Sequence, residues 1–347
     1  MENAKGPAYC LAGRQLEGGW TVEEILPLVP GGTGGNFSVG YLVERDGTMA
    51  FLKALDFSRM FSRPNTMKMI EAMVRNYNFE QEVSYHCLDR RMTKVVHPVG
   101  HGQVLVEGFP VPDVYYIIYE LADGDSRHAL STLEQGVTAW KLRTLHDVAV
   151  GLRQLHAAEV AHQDVKPSNV MCFELGGSKI GDLGQASRRD RPRPLDDCAM
   201  PGDPVYAPPE QRYGEVPSDW VKRRYGCDAY HLGSLALFFF AGVSMTAAID
   251  ERLDPAHRLG AWDGGFEMVL PFLIDAWDQV MRDAEESLER SLPEFGLGLA
   301  GMVRQLTHPD PERRGHPKAL GRTNPYSLDR YVAQLDLMSR QAELRGL

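Results

Sequence analysis

The chain has 347 residues, 43% hydrophobic and 24% charged. That is the profile of a folded protein long enough for two or three compact units, and it argues against a disordered chain. Thirty-seven basic and 47 acidic residues leave a net charge of −10, the wrong sign for a general nucleic-acid binder, whose affinity rests on phosphate neutralisation; no nucleic-acid partner is expected. Five scattered cysteines (Cys10, Cys87, Cys172, Cys198, Cys227) show no CxxC spacing, so neither a disulfide framework nor a zinc site is indicated. The first residues lack the apolar run of a signal peptide. The most apolar stretch, Leu232–Ala248, falls short of the ~20 residues that span a bilayer and is read as a buried helix. No membrane partner and a cytoplasmic setting are expected.

Residues 1–24 read as a polar lead-in. From Ile25 to Ala54 the pattern is strand-like: ILPLV, a glycine-rich turn, VGYLVE, the turn Arg45-Asp46-Gly47, then MAFLKAL. Residues 56–78 are less regular. Phe79–Leu88 has helical spacing of apolar residues at 79, 83 and 87. Val95–Glu107 and Val114–Leu121 read as strands, the second (VYYIIYEL) rich in β-formers. After Gly124 the character turns helical. Thr138–Ala158 is amphipathic, a helix lies near 228–245, and a terminal one near 328–337. Strands first and helices after give an α+β protein of two lobes.

Residues 162–184, HQDVKPSNVMCFELGGSKIGDLG, carry the chemistry. Asp164 and Asp182 lie in short polar turns, and Asn169 follows Asp164 by five residues. Carboxylate and carboxamide oxygens are hard ligands suited to Mg²⁺. Lys166, two residues from Asp164, shares a face with it on an extended backbone. A metal-bound carboxylate, a second carboxylate and a lysine suit phosphoryl transfer, in which positioning and charge neutralisation do most of the catalysis.

His162–Asn169 resembles the catalytic loop of the eukaryotic-type protein kinases, in the Ser/Thr form common to bacterial members, and Asp182-Leu183-Gly184 resembles their DFG motif. Other stretches match in the family's order over residues 27 to about 315. Gly32–Val39 resembles the phosphate-covering loop, Lys53 the strand lysine, and Glu82 its helix partner. Tyr206–Glu210 resembles the A-P-E segment, Arg314 its ion-pair partner, and Asp228 with Gly233 the helix beneath the catalytic loop. The resemblance implies a two-lobe fold with an antiparallel-sheet N-lobe (25–122) and a helical C-lobe (123–320), flanked by an extension (1–24) and a helical tail (321–347). It implies ATP and Mg²⁺ as cofactors and a Ser/Thr hydroxyl of a protein as acceptor. Catalytic roles then fall to Asp164, Lys166, Lys53 and Glu82. Nucleotide contacts fall to Gly32, Gly34, Gly35, Val39, Lys53, Glu120, Ala122, Asn169, Met171 and Asp182, with Tyr119 behind the adenine. Asn169 and Asp182 ligate the metal.

Four positions depart from the family. Phe37 replaces the third loop glycine, and Phe51 stands where an alanine usually lies over adenine. Gln163 replaces the arginine that grips a phosphorylated activation loop. Asp203 replaces a threonine near the catalytic aspartate. Segment 185–209 has only Ser187 and Tyr206 as hydroxyls, so activity without loop phosphorylation is expected. The alternatives are a pseudokinase, favoured by Phe51 and Asp203, and a small-molecule kinase of related fold. Arg188, Arg189, Arg191 and Arg193, with Arg59, Arg63, Lys68 and Arg75 of a long insert, offer a docking patch for an acidic partner.

Overall fold

The computed structural model describes residues 6–27, 37–60, 65–133, 137–192 and 194–347. The chain divides into two compact units. The first is 1–123 together with 181–184, and the second is 124–180 with 185–347. The chain thus lends four residues around Asp182 back to the first unit.

The first unit is built on strands β1 (Thr21–Ile25), β2 (Ser38–Arg45), β3 (Thr48–Leu55), β4 (Pro98–Leu105) and β5 (Asp113–Glu120), with helix α1 (Thr66–Asp89) between β3 and β4. They form one antiparallel sheet in the order β1-β2-β3-β5-β4. Period-two alternation gives the sheet two different faces. One face holds Val39, Tyr41, Val43, Ala50, Leu52, Ala54, Tyr116 and Ile118. It is covered by the N-terminal residues Ala8, Leu11, Leu16 and Trp20, all buried. Tyr41 fastens this cover, its hydroxyl donating to the Ala8 carbonyl at 2.7 Å. Ala8, Leu11, Leu16 and Trp20 are therefore part of the core, and the stretch is not merely a polar lead-in. The other face carries Gly40, Phe51, Lys53 and Tyr119, paired in register as Gly40 with Lys53 and Phe51 with Tyr119. The irregular stretch expected before Phe79 is mostly helix, since α1 runs 24 residues from Thr66.

The second unit opens with β6 (Gly124–Asp125), α2 (Ser126–Thr132) and α3 (Val137–Ala157). Short strands follow: β7 (Val160–Ala161), β8 (Val170–Phe173), β9 (Gly177–Ile180) and β10 (Ser187–Arg188). The remainder is helical among the described residues: α4 (Pro209–Arg212), α5 (Trp220–Ala241), α6 (Met245–Arg252), α7 (Phe266–Ser291), α8 (Gly296–Leu306) and α9 (Asp329–Leu344). β6, β8 and β9 form a small sheet, and β10 pairs with β7. α5 is buried along most of its length; no single described helix is long and apolar enough to cross a membrane. At Gly233 a side chain would strike Leu306 and Thr307 of the α8 end, so the glycine lets α5 and α8 pack closely. The terminal helix α9 lies along α3, burying Tyr331, Val332, Leu335 and Ala342.

Candidate active site

Lys53 stands on the open face of β3. Its ammonium donates to Glu80 Oε1 at 2.8 Å and Asp182 Oδ1 at 2.9 Å, all within the first unit. Burial alone would lower the Lys53 pKa, but the Asp182 and Glu80 carboxylates outweigh it and hold the lysine charged. The helix partner is thus Glu80, and the expectation of Glu82 is corrected. The buried stripe of α1 is Tyr77, Phe79, Glu80, Val83, Ser84 and Cys87. Residues two apart on a helix point about 200° away from each other, so Glu82 is turned off this stripe and is only half-buried. Glu80 is braced in turn: the Tyr119 hydroxyl donates to Glu80 Oε1 at 3.0 Å and lies 3.4 Å from Ser84 Oγ. Tyr119 was expected only as bulk; its hydroxyl also orients the lysine's partner, a role that follows from its pairing opposite Phe51 on the Lys53 face.

Val39, expected at the nucleotide, lies on the wrong face. It pairs with Ala54, whereas Gly40 pairs with Lys53, so strand alternation sends Val39 into the core at 4% exposure. The Phe51 ring covers Gly40 instead, 2.9 Å from where a Cβ would stand. Gly32, Gly34 and Gly35 lie outside the described residues. Glu120 closes β5, its carboxylate accepting from the His97 amide at 2.7 Å, and half-buried Ala122 follows it. Asp182 has φ +58, a left-handed conformation uncommon for residues other than glycine and frequent where function demands strain.

The second unit holds the other acids and Lys166. Asp164 Oδ1 accepts from the Asp203 amide at 2.9 Å, and its Oδ2 meets Lys166 Nζ at 3.0 Å and Asn169 Nδ2 at 3.1 Å. Lys166 also reaches Asp203 Oδ2 at 3.3 Å, so Asp203 shares the lysine with Asp164. Asn169 also donates to the Asp164 carbonyl at 2.8 Å; with its NH₂ so used, its amide oxygen is the atom suited to a hard cation. Met171 is half-buried on β8, opposite Lys179. Beneath the loop, buried Asp228 accepts from the amides of His162 (2.9 Å) and Gln163 (2.7 Å) and from His156 Nε2 (2.8 Å). Burial would raise its pKa, but these bonds and the nearby histidines bring it below the usual carboxylate value. His162 is fully buried and accepts from the Asp164 amide at 3.2 Å, a bracing role. Glu210 and Arg314 form a buried two-pronged ion pair at 2.7 and 2.8 Å.

The chain belongs to the protein kinase domain family, which matches residues 55–314. The match starts two residues after Lys53, so the lysine is carried by its geometry and the glycine loop by sequence pattern alone. The chain is 30% identical over 262 residues to mouse serine/threonine-protein kinase H1, covering 72% of this chain and 56% of that protein. It is 27% identical over 205 residues to mouse serine/threonine-protein kinase DCLK1, covering 56% and 25%. Mitogen-activated protein kinase kinase kinase 17 of Arabidopsis thaliana is 32% identical over 166 residues, covering 47% and 40%. The chain thus spans about half or less of the length of these relatives. Proteins of this family generally use ATP and Mg²⁺.

The basic segment is partly neutralised from within. Arg188 pairs with Asp190 at 2.7 Å, Arg189 with Glu159 at 3.0 Å, and Arg75 with Glu71 at 3.0 Å. Arg63 and Arg193 lie outside the described residues.

Proposed function

We propose that this chain is a protein kinase that transfers the γ-phosphoryl group of ATP·Mg²⁺ to a Ser/Thr hydroxyl of a protein. The reading rests above all on Lys53 held between Glu80 and Asp182. An ammonium fixed in this way is a point charge ready for nucleotide phosphates. The Asp182 carboxylate of the first unit and the Asn169 amide oxygen of the second are each hard oxygen donors of the kind Mg²⁺ takes; they are the residues that would hold the ion, whose charge would offset that of the phosphates. Asp164, oriented by the Asp203 amide and by Asn169, receives the hydroxyl proton. Lys166, beside it at 3.0 Å, offsets charge on the transferring group. Lys166-Pro167 resembles the Ser/Thr-type loop, and relatives named as serine/threonine kinases support that acceptor.

Independence from loop phosphorylation is part of the same reading. Ser187 is fully buried in the β10–β7 pairing, out of reach of a modifying enzyme, and Gln163 cannot form an ion pair with phosphate. A nucleotide-binding pseudokinase is the second reading, favoured by the Phe51 ring over Gly40 on the Lys53 face. Incubation with γ-labelled ATP, Mg²⁺ and generic protein substrates separates the two. Label on protein serine or threonine, absent with Asp182→Asn and unchanged by phosphatase pretreatment, is the expected result. Nucleotide binding without transfer establishes the second reading, and label confined to a small molecule overturns both.

A further inference from the structure

Arg224 of α5 is 2% exposed. A buried guanidinium without partners is strongly unfavourable, so what it bonds shows what it is for. Nη1 donates to Gln163 Oε1. Nη2 donates to the Asp196 carbonyl at 2.7 Å and to its carboxylate at 3.2 Å. Gln163 completes the chain, Nε2 donating to the Gln185 carbonyl at 2.8 Å. Arg224 and Gln163 together therefore tie the loop that carries Asp164 to the start (Gln185) and the middle (Asp196) of segment 185–209. The neighbouring Arg223 holds the Cys198 carbonyl at 2.9 Å, so α5 grips the segment twice.

We propose that Arg224 is a positioning residue for phosphoryl transfer, with Asp196 as its built-in anion and Gln163 as the link to the catalytic loop. The Asp196 carboxylate supplies permanently the negative charge that a phosphorylated residue would supply on demand. The inference deepens the kinase reading and rests on it, giving loop-phosphorylation independence a physical means. It also accounts for Gln163. A second arginine there would face Arg224 in a buried site, where like charges repel strongly. An amide offers Arg224 an acceptor and Gln185 a donor with one side chain. Only a planar, multi-donor group reaches Gln163 and both Asp196 oxygens together, so lysine is no substitute for Arg224.

The test uses the full chain, phosphatase-treated and shown by mass spectrometry to carry no phosphate. Wild type is compared with Asp196→Asn, Asp196→Glu and Arg224→Lys. Asp196→Asn and Arg224→Lys are expected to lower kcat by about tenfold or more, as loss of a charged hydrogen bond implies. The KM for ATP stays within about twofold, because the clamp does not hold nucleotide. Hydrogen exchange across 186–198 speeds up in both, and Asp196→Glu returns kcat and exchange toward wild type. Wild-type kcat and exchange in folded Asp196→Asn overturn the clamp. If Arg224→Lys does not fold, the partly exposed Asp196 still decides. A wild type that loses activity on phosphatase treatment overturns loop independence, and one that never transfers phosphate overturns the kinase reading. In either case the exchange comparison alone judges the clamp, slower exchange in wild type supporting it and equal exchange refuting it.

Discussion

Each unit holds one lysine between two carboxylates, and the two trios differ in their access to water. Lys53 meets Glu80 and Asp182 with side-chain exposures of 26%, 9% and 35%. Lys166 meets Asp164 and Asp203 with 7%, 8% and 9%. In the open trio, an incoming anion can take over part of the lysine's charge at modest desolvation cost. In the closed trio each charge depends on its partners, because removing one leaves the others buried and uncompensated. The open cluster suits the ligand role proposed for it, and the closed one holds the Asp164 carboxylate in a fixed pose.

The largest effect should come from the closed trio. Asp164→Asn keeps the shape and removes the proton acceptor. Phosphoryl transfer is expected to fall by about 10²–10⁴, the usual worth of a positioned acid–base group, with Tm measured alongside to show the protein is folded. Residual activity within tenfold of wild type would break the assignment of Asp164. A smaller effect sharpens the open trio. Glu80→Gln should cost about tenfold to a hundredfold in kcat/KM, as loss of a charged bond to Lys53 implies, whereas Glu82→Gln should stay within about threefold. Equal losses would return Glu82 to the site.

The smallest effect concerns the ground beneath the closed trio. His231, buried in α5, is pushed down to about 4 from 6.5, first by burial and then by His162, Lys166 and Arg314, with Asp228 pulling the other way. The unfolded chain takes up the proton near 6.5 and the folded one near 4. Stability is therefore full above pH 6.5 and declines as the pH falls through that window, by on the order of 1 kcal/mol per pH unit. Urea unfolding at pH 7 and pH 5 should show this decline, and His231→Gln should flatten it. A wild-type difference no larger than that of the variant would remove His231 from the account.

How much of this was legible follows from how the residues are spaced. Asp164, Lys166, Asn169 and Asp182 stand in one short stretch, where the local order of the chain encodes the chemistry. Lys53 could be read because a strand presents it at a fixed step. Glu80 was missed because Glu80 and Glu82 lie two residues apart on one helix, and choosing between them needs the phase of the buried stripe. Tyr77, one turn before Glu80 and outside the stretch that shows helical spacing, carries that phase. Val39 was misplaced because the motif fixes its sequence position and not the pairing that sets its face. Arg224 and Asp196 left no local signal, since their meeting depends on how α5 packs under a loop. The N-terminal cover was missed for a related reason: Ala8, Leu11, Leu16 and Trp20 follow no helical or strand period.

That cover has a practical consequence. A protein trimmed to the span that matches the family would begin at Leu55, losing β1, β2 and nearly all of β3 along with Lys53. Even a milder cut at Thr21 would uncover a continuous apolar face from Val39 to Ile118, of the kind that drives self-association. Aggregation of such a shortened form would reflect a missing lid on the sheet and would say nothing about the chemistry.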